Sequence, residues 1–297
     1  MRFDVYTPLL VSLLLPLVSP VMGRRMAPGP ATRVLASAAV ATAVATTWSL
    51  LLLAATLVGA APPLVREAQE DGHPRAVPVP EVVGIAASVA LAVVVYRVYR
   101  VVRAERGTRR ALRRLCQGHP ADTELIVAAS DVPQAFAIPG RPGRILVTSA
   151  MLGALRPAER RVLLAHERAH LTYRHGALVS AATLAVAANP LLGPVRDAVA
   201  FLAERGADEQ AADEVGDRGT TARALARAAL TTGGARRVCA LNFMDRAVTR
   251  RIAALQTSPP AHLRSAALAV LALGALPALG AADATRDLLV LLTGGSA

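Results

Sequence analysis

Two histidines four residues apart, with a glutamate directly after the first, are the side chains of this sequence best suited to chemistry. They are His166, Glu167 and His170, in the string HERAH. On an α-helix, positions i and i+4 share one face, offset by about 40° around the axis and about 6 Å along it. Both imidazoles can therefore bind one metal ion. Glu167 can then act as a base on a water at the open position of a zinc ion.

A catalytic zinc site takes three protein ligands and keeps a fourth position for water, so a further ligand is required. Glu204 supplies a carboxylate on a second predicted helix, and Asp208 follows it by one turn. Asp208 is placed to accept a hydrogen bond from the far nitrogen of a ligating histidine, which fixes the tautomer of that ring. The sequence predicts one Zn²⁺ per chain, bound by His166, His170 and Glu204.

The helix that carries the histidine pair has clear signals at both ends. Pro157 suits its first position, and Glu159 suits the positive end of its dipole. Gly176 suits the position after its last residue, with Arg174 and His175 in the final turn. In this interpretation His175 lies off the metal face and is a cation at the helix end.

Extended segments precede this helix, and a second helix follows it. Strands are predicted at 123–129, 135–138 and 144–148, the last two as a hairpin around the turn at 139–143. The second helix opens at Pro194, runs to about residue 215 and carries Glu204 and Asp208. Gly206 interrupts it at a cost of roughly 1 kcal/mol. A close helix contact at the metal site would be one reason for this glycine.

Several runs of the chain lack charged side chains over a length that suits a bilayer. Residues 5–23, 34–65 and 265–282 are such runs. A hydrocarbon core of about 30 Å needs about 20 apolar residues in a helix. A cleaved signal peptide is the alternative for 5–23, but no convincing small-residue cleavage site precedes Arg24.

The runs define a three-part layout. Residues 1–103 form an amino-terminal membrane region with three predicted spans, at about 5–23, 34–60 and 80–100. Residues 104–262 form the predicted domain with the metal site, and 263–297 hold a last span and a short tail. Segment 176–192 is ambiguous between a buried core helix, a re-entrant segment and an additional span.

The distribution of charge predicts which side of the membrane the domain faces. The net charge is +12, and all 33 basic residues are arginine. The arginines cluster after the first and third spans, whereas the loop between the second and third spans is mixed in sign. Arginine excess marks the cytoplasmic side. We therefore expect a cytoplasmic active site and arginines that contact anionic lipids, with no direct nucleic acid.

The two motifs together resemble a known group of enzymes. HERAH at 166–170 and ERGAD at 204–208, in a multi-span chain, resemble the gluzincin membrane metallopeptidases. These comprise the β-lactam sensor-transducer family and its HtpX-like and CAAX prenyl protease relatives. The resemblance covers about residues 120–260. It extends upstream to the 135–148 strands and downstream to RIAAL at 251–255.

The resemblance implies both a fold and roles for the site residues. The fold would be mainly α and integral to the membrane, a multi-span helical protein with a small α+β zincin-type metallopeptidase domain between the third and last spans. His166, His170 and Glu204 would bind zinc, Glu167 would be the catalytic base, and Asp208 would orient a ligand. Because only a short tail follows the predicted last span, we expect neither a penicillin-binding domain nor direct β-lactam sensing.

The expected function is a membrane-bound zinc metalloendopeptidase that hydrolyses peptide bonds with a zinc-activated water and Glu167 as general base. It would serve regulatory proteolysis or membrane-protein quality control. Its substrate would be a protein or peptide, a transcriptional repressor being one option, held as an added strand near Phe136. Tyr173, Arg251 and His262 are open candidates for stabilising the oxyanion.

Two other functional classes compete with the peptidase. The first is a signal transducer whose zinc site is structural or regulatory. The second is a transporter, which fits poorly because the spans lack charged residues.

Overall fold

The computed structural model describes residues 7–59, 80–120, 122–233 and 241–257, and the single positions 268, 272 and 285. These residues form a mainly helical protein with one small sheet, as the sequence predicts. The helices are α1 Thr7–Arg25, α2 Pro28–Gly59, α3 Glu81–Leu115, α4 Ser149–Ala154, α5 Pro157–Thr172, α6 His175–Ala188, α7 Gly193–Val215, α8 Arg218–Gly233 and α9 Leu241–Leu255. The strands are β1 Leu125–Ala128, β2 Ala135–Ile138 and β3 Arg144–Thr148.

The sheet has the order β1-β3-β2, with β1 parallel and β2 antiparallel to β3. The predicted hairpin between β2 and β3 is confirmed. Strand β3 is central, and its consecutive apolar residues Ile145, Leu146 and Val147 are all buried. A strand covered on both faces reads as a continuous apolar run, as here. Strand β2 is left at an edge of the sheet.

Helix α5 begins at Pro157, as predicted, but ends earlier than the sequence suggests. It stops at Thr172, and α6 begins only two residues later, at His175. Between them Arg174 adopts the left-handed conformation, with φ 53° and ψ 39°. The prediction of one helix reaching Gly176 is therefore wrong. The chain changes direction at a non-glycine residue, which sequence patterns rarely signal because Cβ disfavours positive φ.

Segment 176–192 forms most of α6 and a short turn that leads into α7. The turn is a 3₁₀ segment at Pro190–Leu192. Asn189 donates from Nδ2 to Ser12 Oγ at 2.6 Å, and Arg97 Nε donates to the Ala187 carbonyl at 3.1 Å. Helix α6 has 14 residues and is about 21 Å long, too short to cross a core of about 30 Å. It packs inside the helical bundle instead.

One hydrophobic core joins the amino-terminal helices to α6 and α7. Its fully buried members include Leu15 of α1, Leu35 of α2, Ala182 of α6 and Leu202 of α7. The last turn of α1 also contacts α7 directly, because Arg205 Nη1 donates to the Gly23 carbonyl at 3.2 Å. Residues from the predicted membrane region thus support the helix that carries Glu204.

The three predicted amino-terminal spans correspond to α1, α2 and α3. By length and composition, Pro28–Leu57 and Glu81–Leu115 could each cross a membrane, whereas the apolar part of α1, Ser12–Gly23, is shorter. Helix α3 also continues through the arginine-rich segment without a break. The predicted last span, 265–282, and the loop at 61–79 lie outside the continuously described residues.

Glu159 connects the start of α5 to α8 through hydrogen bonds. It accepts from the Arg156 backbone N–H at 2.8 Å and from Arg227 Nε at 3.1 Å. Burial alone would raise the pKa of Glu159, but these two donors outweigh it and hold the pKa below its ordinary value. The carboxylate therefore stabilises the fold in its ionised form.

We expect Glu159→Gln to lower the free energy of unfolding by about 1.5–3 kcal/mol near pH 7, since hydrogen bonds to a charged group are lost. Because the folded-state pKa is depressed, the stabilisation is present above the unfolded pKa and disappears as pH falls through the folded pKa. Denaturant titrations in detergent micelles between pH 7 and pH 3 test both points.

The control for this variant is Glu105→Gln, which removes only an exposed pair with Arg109 on α3. It should change stability by less than about 0.5 kcal/mol. A difference between the Glu159 variant and wild type that stays constant down to pH 3 would contradict the prediction.

Candidate metal centre

The three predicted ligands meet in one cluster. The Nε2 atoms of His166 and His170 lie 3.1 Å apart. Glu204 places one oxygen 3.6 Å from His166 Nε2 and the other 3.5 Å from His170 Nε2. A tetrahedral zinc ion with ligands at about 2.0–2.2 Å separates its ligand atoms by about 3.3–3.6 Å. The donor types and their spacing therefore fit a zinc ion.

Packing of α5 against α7 produces this cluster. The histidines are one turn apart on α5, so their rings point the same way. Glu204 comes from the middle of α7, one turn before Asp208. Arg168, between the two histidines in sequence, points away from the cluster and pairs with Glu124 at 2.7 Å. The charged residue inside the motif thus does not enter the site.

Asp208 lies behind His166, where the sequence places an orienting carboxylate. Its Oδ1 is 3.1 Å from His166 Nδ1, the ring nitrogen opposite the cluster. Burial of His166 disfavours its charged form, but the hydrogen bonds to Asp208 and Glu204 outweigh this and raise the pKa of His166 to about 10. Burial and the neighbouring His166 charge lower the pKa of His170 to about 4. Zinc binding at His166 would therefore displace a proton.

Arg251 of α9 joins the two carboxylates. Its Nε and Nη2 atoms donate to both oxygens of Asp208 at 2.6 and 2.7 Å, and Nη1 lies 2.9 Å from Glu204 Oε2. The sequence indicates Arg251 only as a candidate for oxyanion stabilisation. In the folded chain it is also a largely buried counter-ion for the candidate ligand Glu204 and for Asp208.

Glu167 lies beside the cluster but outside the ligand set. Its side chain is buried, and burial raises the pKa of its carboxyl group. The backbone N–H of Ala137, on edge strand β2, donates a hydrogen bond to it. The candidate base is thus positioned between the ligand cluster and the free edge of the sheet.

His175 is placed differently from the sequence-based interpretation. It stands at the amino end of α6, where the helix dipole disfavours a cation. Its ring is buried, and its Nδ1 lies 3.2 Å from His170 Nδ1. The prediction of a terminal cation off the metal face is therefore wrong, because it assumed that α5 continues past Thr172. The one signal in the sequence was a third histidine close to the motif.

The remaining candidates for the oxyanion do not gain support. The Tyr173 hydroxyl donates to Gln210 Oε1 at 2.6 Å. His262 lies outside the described residues.

Gly206, expected at a close helix contact, faces His175 and Pro28, whose atoms would lie 3.6 and 3.7 Å from an added Cβ. These are ordinary van der Waals distances, so the contact by itself does not require glycine at this position.

Comparison with known proteins gives one match. Residues 103–272, more than half of the chain, match Peptidase family M48, and both motifs fall inside the matched range. No curated protein and no solved structure matches the chain. The match supports the HtpX-like and CAAX protease side of the resemblance, while the β-lactam sensor-transducer branch stays a prediction. The candidate metal-ligand cluster on α5 and α7 is thus part of a chain that belongs to peptidase family M48.

Proposed function

We propose that the chain is a membrane-bound zinc metalloendopeptidase with Glu167 as its general base. Membership of a metallopeptidase family supports the reaction class. The observation that carries the proposal is the cluster of His166, His170 and Glu204 with the buried carboxylate of Glu167 next to it. Glu167 is not one of the three candidate ligands. A purely structural zinc site would use four protein ligands and would need no such carboxylate.

The residues of the chain divide the work of hydrolysis. A zinc ion held by the three ligands would acidify a water and polarise the peptide carbonyl. Glu167 takes the proton of the attacking water and delivers it to the leaving amine. Burial, which raises the pKa of Glu167, makes its carboxylate a stronger base. Asp208 holds His166 in the tautomer that leaves Nε2 free for the metal.

Strand β2 offers a binding mode for the substrate. It lies at the edge of the sheet, and its residue Ala137 contacts Glu167. A peptide added along this edge would form backbone hydrogen bonds that are largely independent of sequence. An extended protein segment is therefore the favoured substrate class, as expected for regulatory proteolysis or for the removal of damaged membrane proteins.

Exposed apolar side chains on the first three helices support a membrane location. Large apolar residues point outward along each helix: Leu10, Leu13 and Leu17 on α1, Val44, Trp48 and Leu51 on α2, and Val82, Ile85 and Val89 on α3. Val82 and Leu17 are more than 70% exposed. A patch of this extent is unusual on a soluble monomer but suits contact with lipid. The arginines of α3 favour a cytoplasmic active site.

The contact between the end of α1 and α7 also supports the regulatory alternative. Arg205, next to zinc ligand Glu204, donates to the Gly23 carbonyl at the end of α1. A movement of α1 would therefore reach the ligand-bearing helix directly. This contact favours proteolysis controlled by the membrane helices and is also the feature that a non-hydrolytic signal transducer would use.

Metal removal tests the proposed function. The full chain in detergent micelles should bind one zinc ion and cleave an unfolded reporter protein. Both the activation of the attacking water and the polarisation of the peptide carbonyl depend on this ion. A chelator should abolish cleavage, and added zinc should restore it. Zinc content is measured by atomic absorption and cleavage by gel electrophoresis. Chelator-resistant cleavage would contradict the proposal, and stoichiometric zinc without cleavage would favour the transducer.

A further inference from the structure

We propose that His175 is a positioning residue for the zinc ligand His170, and that it acts by accepting a hydrogen bond from His170 Nδ1. This inference rests on the proposed zinc site. The two nitrogens of His170 face opposite partners. Nε2 points into the ligand cluster, 3.1 Å from His166 Nε2, and Nδ1 lies 3.2 Å from His175 Nδ1.

The protonation states follow from the two partners. A histidine that gives the lone pair of Nε2 to a metal carries its proton on Nδ1 and needs an acceptor there. His175 Nδ1 is the atom within reach, so it accepts and carries its own proton on Nε2. The structure thus supplies a partner for each ligating histidine: Asp208 for His166 and His175 for His170.

The break between α5 and α6 makes this contact possible. In a continuous helix, position 175 would lie about 140° around the axis from His170. Arg174 instead takes a left-handed conformation, φ 53°, and the chain turns so that His175 faces His170. Positive φ at a residue with a long side chain is uncommon and calls for a local reason. The contact between the histidines provides one.

Two further residues lie beside the His175 ring. Tyr173 stacks on it, with ring centres 5.8 Å apart and planes 23° from parallel. On the opposite helix, a Cβ at Gly206 would lie 3.6 Å from the ring atoms Cε1 and Nε2, so larger side chains there would crowd the ring. The side chain is buried at 3% exposure. The ring is therefore fixed in the orientation that presents Nδ1 to His170.

Zinc affinity of matched variants tests the role. In His175→Asn, the amide oxygen can take the position of Nδ1 as an acceptor, whereas His175→Leu keeps bulk and removes the acceptor. Zinc dissociation constants are measured for full-length protein in micelles by competition with a chromophoric chelator. We expect the Leu variant to bind zinc about 10–100-fold more weakly, and the Asn variant to stay within about threefold of wild type. The control His119→Leu, in an exposed position, should bind like wild type.

Packing alone would give the reverse order, since leucine fills the buried space better than asparagine does. Equal affinities for the Leu variant and wild type, or for the Asn and Leu variants, would overturn the inference. If the Leu variant does not fold, His175→Gln replaces it. The amide of glutamine lies one bond farther from the backbone than that of asparagine, so its oxygen should not reach the position of Nδ1 and zinc affinity should fall. A zinc affinity equal to that of the Asn variant would overturn the inference. Wild-type protein that binds no zinc would refute the proposed function itself, whereas zinc-binding wild type with an unaffected Leu variant refutes only the role of His175.

Discussion

Glu167→Gln is expected to abolish peptide hydrolysis while zinc remains bound. Glutamine has the shape of glutamate and can still accept the hydrogen bond from the Ala137 backbone N–H. It cannot take a proton from water at neutral pH. Loss of a general base lowers the rate by about 10²–10⁴-fold. The ligands His166, His170 and Glu204 are untouched, so zinc affinity should not change.

Cleavage of an unfolded reporter protein and zinc content are measured together on the same preparation. The matched control is Glu214→Gln, which alters an exposed carboxylate on α7 that pairs with Arg168 at 3.6 Å. It should retain wild-type activity. A Glu167 variant that still cleaves at the wild-type rate with zinc bound would rule out the proposed mechanism.

Arg251→Leu is expected to cause the largest loss of stability at the site. Arg251 is the partner of two carboxylates, with three contacts between 2.6 and 2.9 Å. Asp208 is almost fully buried, so without Arg251 its charge would have only the contact with His166 to compensate it. Removing one partner of a buried ion pair costs about 3–5 kcal/mol. Because Asp208 would also lose the contact that orients it toward His166, zinc affinity should fall about 10–100-fold.

Unfolding of the metal-free variant and its zinc dissociation constant report these two effects separately. Arg251→Lys should recover part of the stability, because one ammonium group can serve one carboxylate but not both. The neighbouring residue provides the control: Arg250 lies over the Phe201 ring at 4.3 Å, and its replacement by leucine should cost only about 0.5–1 kcal/mol. Equal losses of stability for the Arg251 and Arg250 variants would contradict the role of Arg251 as counter-ion of the two carboxylates.

Local sequence signals predicted the elements around the site well. Pro157 marks the first residue of α5, and the proline- and glycine-rich turn at 139–143 joins the predicted hairpin strands β2 and β3. These signals are local because proline fixes φ and glycine permits turns. The spacing of the HERAH motif likewise sets its two histidines on one face, because an α-helix has 3.6 residues per turn.

Other features could not be predicted from the sequence because they depend on residues far apart in the chain. The end of α5 at Thr172 is one such feature. The left-handed Arg174 follows a stretch without glycine or proline that extends from residue 158 to residue 175. The core shared by α1, α2, α6 and α7 is another. Charge-free runs indicated helices long enough for a bilayer, but the packing of their inner faces against α7 leaves no sequence signature.

The sequence by itself identified the candidate donor set of the proposed metal centre, its candidate base and the helices that carry them, because helical periodicity and ligand chemistry are properties of neighbouring residues. Only the tertiary structure decided which residues contact the candidate ligands and their hydrogen-bond partners. Arg251 reaches Asp208 across 43 positions of sequence, and His175 reaches His170 only because the chain turns at Arg174. Hydrogen bonds between distant residues form when helices pack, and packing depends on the shapes of whole surfaces rather than on local patterns.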